Sequence, residues 1–152
     1  MLAAEHPDLT EILAQRRTAG DTHVILDGTL IHTDRVAATT TKTKGRNAGA
    51  TVHLWYSGKH RDFGGNIQFL ATPDGFPLWC SDVEPGITND ITAARQQGLI
   101  GPLSAAAATH NLPTLADKAY HTAGIGIRTP IKKPQGTTHE LHHDNRTYNT
   151  LH

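Results

Sequence analysis

The chain has 152 residues, enough for one domain with a core that removes roughly 70% of the unfolded surface from water. Lys plus Arg and Asp plus Glu balance at 14 each, so net charge neither demands nor excludes a polyanionic partner. A lone cysteine, Cys80, excludes an internal disulfide, and no apolar run approaches the roughly 18 residues needed to span a bilayer. Met1 is followed by Ala4-Glu5-His6-Pro7 rather than a basic and then apolar leader, so the expected location is the cytoplasm, with no membrane partner.

The first predicted element is a helix over residues 8–18. Asp8 and Glu11 have capping-box spacing, Leu9, Ile12 and Leu13 form an apolar face, and Gly20 ends it; residues 1–20 thus read as a leading helix. Val24 to Ile31 is strand-like, with Asp27-Gly28 inside it. Thr39 to Gly49 lacks apolar periodicity and reads as loop. Strands are expected at Thr51–Tyr56, Asn66–Ala71 and Leu78–Val83, the last two joined by the turn Thr72-Pro73-Asp74-Gly75. Three neighbouring strands suggest an antiparallel meander.

Pro85-Gly86 breaks the sheet pattern, and Asn89-Asp90 can cap a helix from Ile91 toward Gly98. Leu99 to Ala108 reads as partly helical. Leu112 to Ala116 is a short continuous apolar strand, the pattern of a sheet covered on both faces, and it ends at Asp117. Gly and Pro then recur up to Gly136, before Asn145-Arg146-Thr147-Tyr148-Asn149 suggests one more helix.

Two short apolar runs therefore each end in an aspartate, Asp27 and Asp117. A strand aims its terminal side chain rigidly, and a pair of carboxylates suits Mg²⁺ or Mn²⁺, which prefer oxygen ligands. Either acid alone is as well explained as a turn former. Asp90 is a candidate auxiliary acid, although helix capping accounts for it equally well. Between Arg35 and Arg61 there are six basic residues and no acid, whereas Asp62 to Ala116 holds five acids and one Arg. Lys42, Lys44 and Arg46, with Lys59, His60 and Arg61 after the aromatic pair Trp55-Tyr56, are candidates for contact with a nucleic-acid backbone, as is Lys118. Cys80 reads as a small core residue. His139-Glu140-Leu141-His142-His143 fits H-E-x-x-H, the pattern in which two histidines one helical turn apart hold zinc and the glutamate activates water. That mechanism needs a long helix and a third ligand, which Gly136 before the motif and Asp144-Asn145 after it disfavour.

In their order along the chain, several segments resemble the catalytic domain of bacterial insertion-sequence DDE transposases, the DDE superfamily endonucleases. They are Leu26-Asp27-Gly28-Thr29 with Thr33-Asp34-Arg35, Tyr56-Ser57-Gly58-Lys59-His60-Arg61, Asn66-Ile67-Gln68, Pro73-Asp74-Gly75, Pro85-Gly86 with Asp90-Ile91-Thr92-Ala93-Ala94-Arg95, Leu115-Ala116-Asp117-Lys118 with Tyr120, and Thr129-Pro130. The resemblance implies an α/β, ribonuclease H-like mixed sheet over the whole chain: three antiparallel strands, a crossover helix and a parallel fourth strand. It makes Asp27 and Asp117 the first two catalytic acids and Mg²⁺ (or Mn²⁺) ligands. The implied reaction is hydrolysis at transposon ends followed by attack of the freed 3′ hydroxyl on target DNA.

In the family a third acid, a glutamate, follows on an arginine-containing helix. The sequence stops at His152 before that helix completes, so the expectation is a C-terminally incomplete domain, inactive alone. The alternative is a DNA-binding or dimerising fragment that acts on a full-length transposase. Ala119 stands where the family usually has Gly, which puts the tight turn after Asp117 in question.

Overall fold

The computed structural model describes residues 8–136 and 140–151. Helix α1 (Leu9–Thr18) starts at Asp8, whose carboxylate accepts from Thr10 N at 2.9 Å. Glu11 bonds Gln15 instead of reaching back, so the expected reciprocal capping box is not formed. Strand β1 (Val24–His32) follows. Two short strands, β2 (Thr39–Thr41) and β3 (Thr51–His53), form a separate antiparallel ribbon in which Thr40 faces Val52. The expected loop over 39–49 is thus strand at its start. The predicted strand 51–56 is broken, its end becoming β4 (Tyr56–Ser57).

The long strand β5 (Asp62–Ala71) is the hub of the main sheet, pairing antiparallel with β1, β4, β6 (Pro77–Cys80) and β7 (Glu84–Pro85). The predicted turn joins β5 to β6, with Gly75 at φ +90° and Thr72 N donating to Phe76 O. Helix α2 (Asp90–Gln96) and helix α3 (Ile100–His110) carry the chain across to β8 (Thr114–Ala116), which lies parallel to β1. A 3-10 turn at Lys118–Tyr120 leads to β9 (Ile127–Arg128), parallel to β8, and α4 (His143–Leu151) closes the chain. The strand order is β4-β5-β1-β8-β9. This mixed parallel and antiparallel sheet is compatible with a ribonuclease H-like arrangement.

The two faces of the sheet differ. Along β1, Val24, Leu26 and Leu30 are buried while Asp27, Thr29 and Ile31 are exposed, the alternation expected of a strand covered mainly on one side. The core forms on the covered side, where Leu9 and Leu13 of α1, Leu103 and Ala106 of α3, and Leu70 meet Val24 and Leu26. Cys80 corrects the sequence reading: it is exposed, because it pairs with Phe69 on the open face. No helix among the described residues is long and apolar enough to cross a membrane.

Candidate active site

The β1–β8 register sets the geometry. Val24 lies opposite Thr114 and Leu26 opposite Ala116, so Asp27 and Asp117 are each the next residue after the last paired positions of two neighbouring parallel strands. Both side chains are exposed. Asp27 Oδ1 accepts from Gly28 N at 2.8 Å, and Asp117 Oδ1 accepts from Ala119 N at 2.7 Å as the cap of the 3-10 turn. No hydrogen bond among the described residues engages the second oxygen of either carboxylate. Two hard oxygens are thereby open to solvent from neighbouring strands, a donor set that fits part of the shell of a divalent cation. No group of three or more His, Cys, Asp or Glu side chains among the described residues is placed to hold a metal. Ala119 takes this turn without left-handed backbone, since among the described non-glycine residues only Arg61 and Asn111 have positive φ. The family's usual glycine is therefore not required by this conformation.

Asp90, the candidate auxiliary acid, lies against Gly28 on the covered side of β1, opposite to the face that exposes Asp27. It is 4% exposed, and Asn89 rather than Asp90 caps α2, accepting from Thr92 N at 3.0 Å. Asp90 Oδ1 accepts from Asn66 Nδ2 at 2.9 Å, and Oδ2 from Lys59 Nζ at 2.7 Å. A buried carboxylate without partners would be costly, and this one is compensated on both oxygens. Its place in the first turn of α2 also favours its charge.

From Asp90 a chain of polar groups runs through the covered side of the sheet. Asn66 Nδ2 also donates to Thr88 O at 3.0 Å, and Gln68 Nε2 donates to Asn66 Oδ1 at 2.8 Å. The Tyr120 hydroxyl donates to Gln68 Oε1 at 2.6 Å. Gln68 and Tyr120 are fully buried. Burial, reinforced by the negative charges of Asp90, Asp27 and Asp117, pushes the Tyr120 phenol far above its ordinary value, so it remains a neutral donor. The hydrogen bond from Lys59 to Asp90 holds the ammonium above the ordinary lysine value of 10.5, and the charges of Asp90, Asp117 and Asp27 act in the same direction. Lys59 is thus electrostatically coupled to all three aspartates.

Next to this pair is a cleft of about 470 Å³ whose walls include Lys42, Lys59, His60, Tyr56, Asp90 and Ala119. It gathers three of the expected nucleic-acid contacts. Lys44, Arg46, Arg61 and Lys118 are exposed but lie outside its walls. Arg61 sits in left-handed backbone at φ 56°, closing the β4–β5 turn through its N–H to Ser57 O at 2.7 Å.

In the H-E-x-x-H segment, His139 lies outside the described residues. Glu140 precedes α4, which begins at His143, and its carboxylate pairs with Arg146. His143 faces Asp144 across 3.7 Å. Glu140 and His143 thus do not share the helix that the zinc pattern needs.

Sequence reasoning did not assign roles to Asn66, Gln68 and Tyr120. The available signal was the polar pair at positions 66 and 68, on the same strand face as Leu70, since polar groups on a core face need partners.

Neither curated proteins nor solved structures give a match to this chain. The sequence profile of one family, the DDE superfamily endonucleases, matches residues 26–152. That span starts at the strand carrying Asp27 and includes both exposed acids, the Lys59 turn and the buried polar chain, and the protein belongs to the DDE superfamily endonuclease family.

Proposed function

We propose that this chain is the catalytic domain of a DDE-type transposase from a bacterial insertion sequence, with Asp27 and Asp117 as the ligands of Mg²⁺ or Mn²⁺. The observation that supports this reading is the parallel register of β1 and β8, after whose last pair, Leu26 and Ala116, each chain continues into an exposed carboxylate with one oxygen engaged. A divalent cation held there would polarise a DNA phosphodiester and ease attack by water or a 3′ hydroxyl. The backbone N–H groups of Gly28 and Ala119 orient the carboxylates by holding one oxygen of each. Asp90 anchors the Lys59 ammonium, which with Lys42 and His60 contacts phosphates along the adjoining cleft. Lys44, Arg46, Arg61 and Lys118 add sequence-independent attraction to transposon ends and target.

Two acids supply few of the ligands an octahedral cation takes, and no third joins them among the described residues. The proposal therefore includes weak cation binding and little cleavage by the 152-residue chain alone, with DNA retained. A second copy of the chain, or a full-length transposase, is the partner that would complete the chemistry.

The test is nicking of DNA carrying the element's own ends, with Mg²⁺ or Mn²⁺, by wild type and Asp27→Ala. The expected result is salt-sensitive DNA retention with little nicking. Robust nicking lost in Asp27→Ala would support the acid pair and refute inactivity. Absence of DNA retention at about 50 mM salt would refute the DNA reading.

A further inference from the structure

The buried polar chain links three elements that carry separate parts of the site. Tyr120 lies in the 3-10 turn that Asp117 caps, so fixing its hydroxyl fixes that turn. Gln68 is the register partner of Gly28, the residue after Asp27. A methyl group on Gly28 would come within 2.7 Å of Gln68 Nε2 and 2.5 Å of Asp90 Oδ1, so both side chains press directly on this part of β1. Asn66 and Asp90 continue the chain to Lys59. The alternation along β1 places Asp27 on the open face and Gly28 on the covered one, so the amide of Gln68 lies behind the acid pair.

We propose that Gln68 is a positioning residue for the two-acid site, its buried amide locking the Asp117 turn, through Tyr120, to the Asp27–Gly28 segment and to the Asn66–Asp90–Lys59 chain. Gln68 suits this task because one amide offers an acceptor and a donor on adjacent atoms. Its Oε1 takes the Tyr120 hydroxyl and its Nε2 serves Asn66. Both bonds form where water does not compete, so loss of either leaves a buried group unpaired and frees the turn to shift. The acids themselves remain exposed, and the covered side of the sheet supplies their rigidity. This inference rests on the metal-binding reading of Asp27 and Asp117.

The test is a Mn²⁺ titration of the ¹⁵N-labelled chain, read as paramagnetic broadening of the amide signals of Asp27, Gly28, Asp117 and Ala119. Tyr120→Phe removes one hydrogen bond and keeps the ring, and Gln68→Met removes both while keeping the volume. Each is expected to raise the Mn²⁺ midpoint about tenfold, the scale seen when residues supporting a metal ligand are lost. The double variant should shift it no further, because the two residues act through one link. Ile127→Val, a core truncation away from the chain, should leave the midpoint unchanged. Unchanged midpoints in Tyr120→Phe and Gln68→Met, with wild-type broadening intact and lost in Asp27→Asn, would overturn the positioning role alone. An equal shift in Ile127→Val would overturn it as well, by showing general loosening. Absence of broadening in wild type would overturn the metal reading and this inference with it.

Discussion

Gly28→Ala introduces a single methyl group where the structure has no room for one. The added Cβ would lie 2.5 Å from Asp90 Oδ1, 2.7 Å from Gln68 Nε2 and 2.9 Å from Asp90 Cγ. These atoms cannot swing aside freely, because Asp90 is held by Lys59 and Asn66, and Gln68 by Asn66 and Tyr120. Accommodation requires a shift of β1 or a broken buried hydrogen bond, each costing about 1 to 3 kcal/mol. Alanine recovers about 0.5 to 1 kcal/mol from the reduced freedom of the unfolded chain, since Gly28 does not occupy the positive-φ region. The net expectation is a loss of about 1 to 2 kcal/mol, or about 2 to 8 °C in Tm for a domain of this size. Urea and thermal unfolding followed by circular dichroism would measure it. Gly58→Ala in the β4–β5 turn is the control, because its Cβ would meet nothing within 4 Å and its backbone is outside the positive-φ region, and it should be neutral or stabilise the chain by about 0.4 to 1 kcal/mol. Equal stability of Gly28→Ala and wild type would refute the packing of Asp90 and Gln68 against β1.

Further expectations concern other buried groups. Thr114 is fully buried in β8 and its hydroxyl has no hydrogen-bond partner among the described residues, so Thr114→Val should be neutral or stabilise by about 1 kcal/mol in urea unfolding. A loss of stability would reveal a partner for that hydroxyl. Lys59 is raised above 10.5 in the folded chain, so its pairing contributes fully below the ordinary lysine value and is lost as pH rises through the raised one. In Asp90→Asn the Lys59 side chain should titrate at lower pH, as read from its Cε proton signals, and an unchanged titration would contradict the ion pair.

The parts of the fold legible in the sequence are those encoded locally. Val24–Leu26 and Leu112–Ala116 announce themselves as apolar runs ending in acids, and the Pro73-Asp74-Gly75 turn carries its own chemistry. Strands β7 and β9 have two residues each, too few for a periodic signal, and they exist because β5 and β8 offer them backbone partners. Thr39–Thr41 becomes a strand by pairing with Thr51–His53, although its composition is that of a loop. The site divides in the same way. Asp27 and Asp117 were legible as acids following apolar runs, although Asp27 lies inside β1 because its pairing with β5 continues to His32, whereas the links from Tyr120 to Gln68 and from Asp90 to Lys59 depend on contacts 52 and 31 residues apart in sequence. Those contacts follow from register, which a single sequence does not display.

The central claim is that Asp27 and Asp117 share one cation. Its most direct measurement is the location of Mn²⁺ by paramagnetic broadening in wild type, Asp27→Asn and Asp117→Asn. The account predicts broadening centred on the Asp27–Gly28 and Asp117–Ala119 amides, abolished by either substitution. Broadening that survives both, or that centres instead on His142, His143 and Asp144, would contradict it.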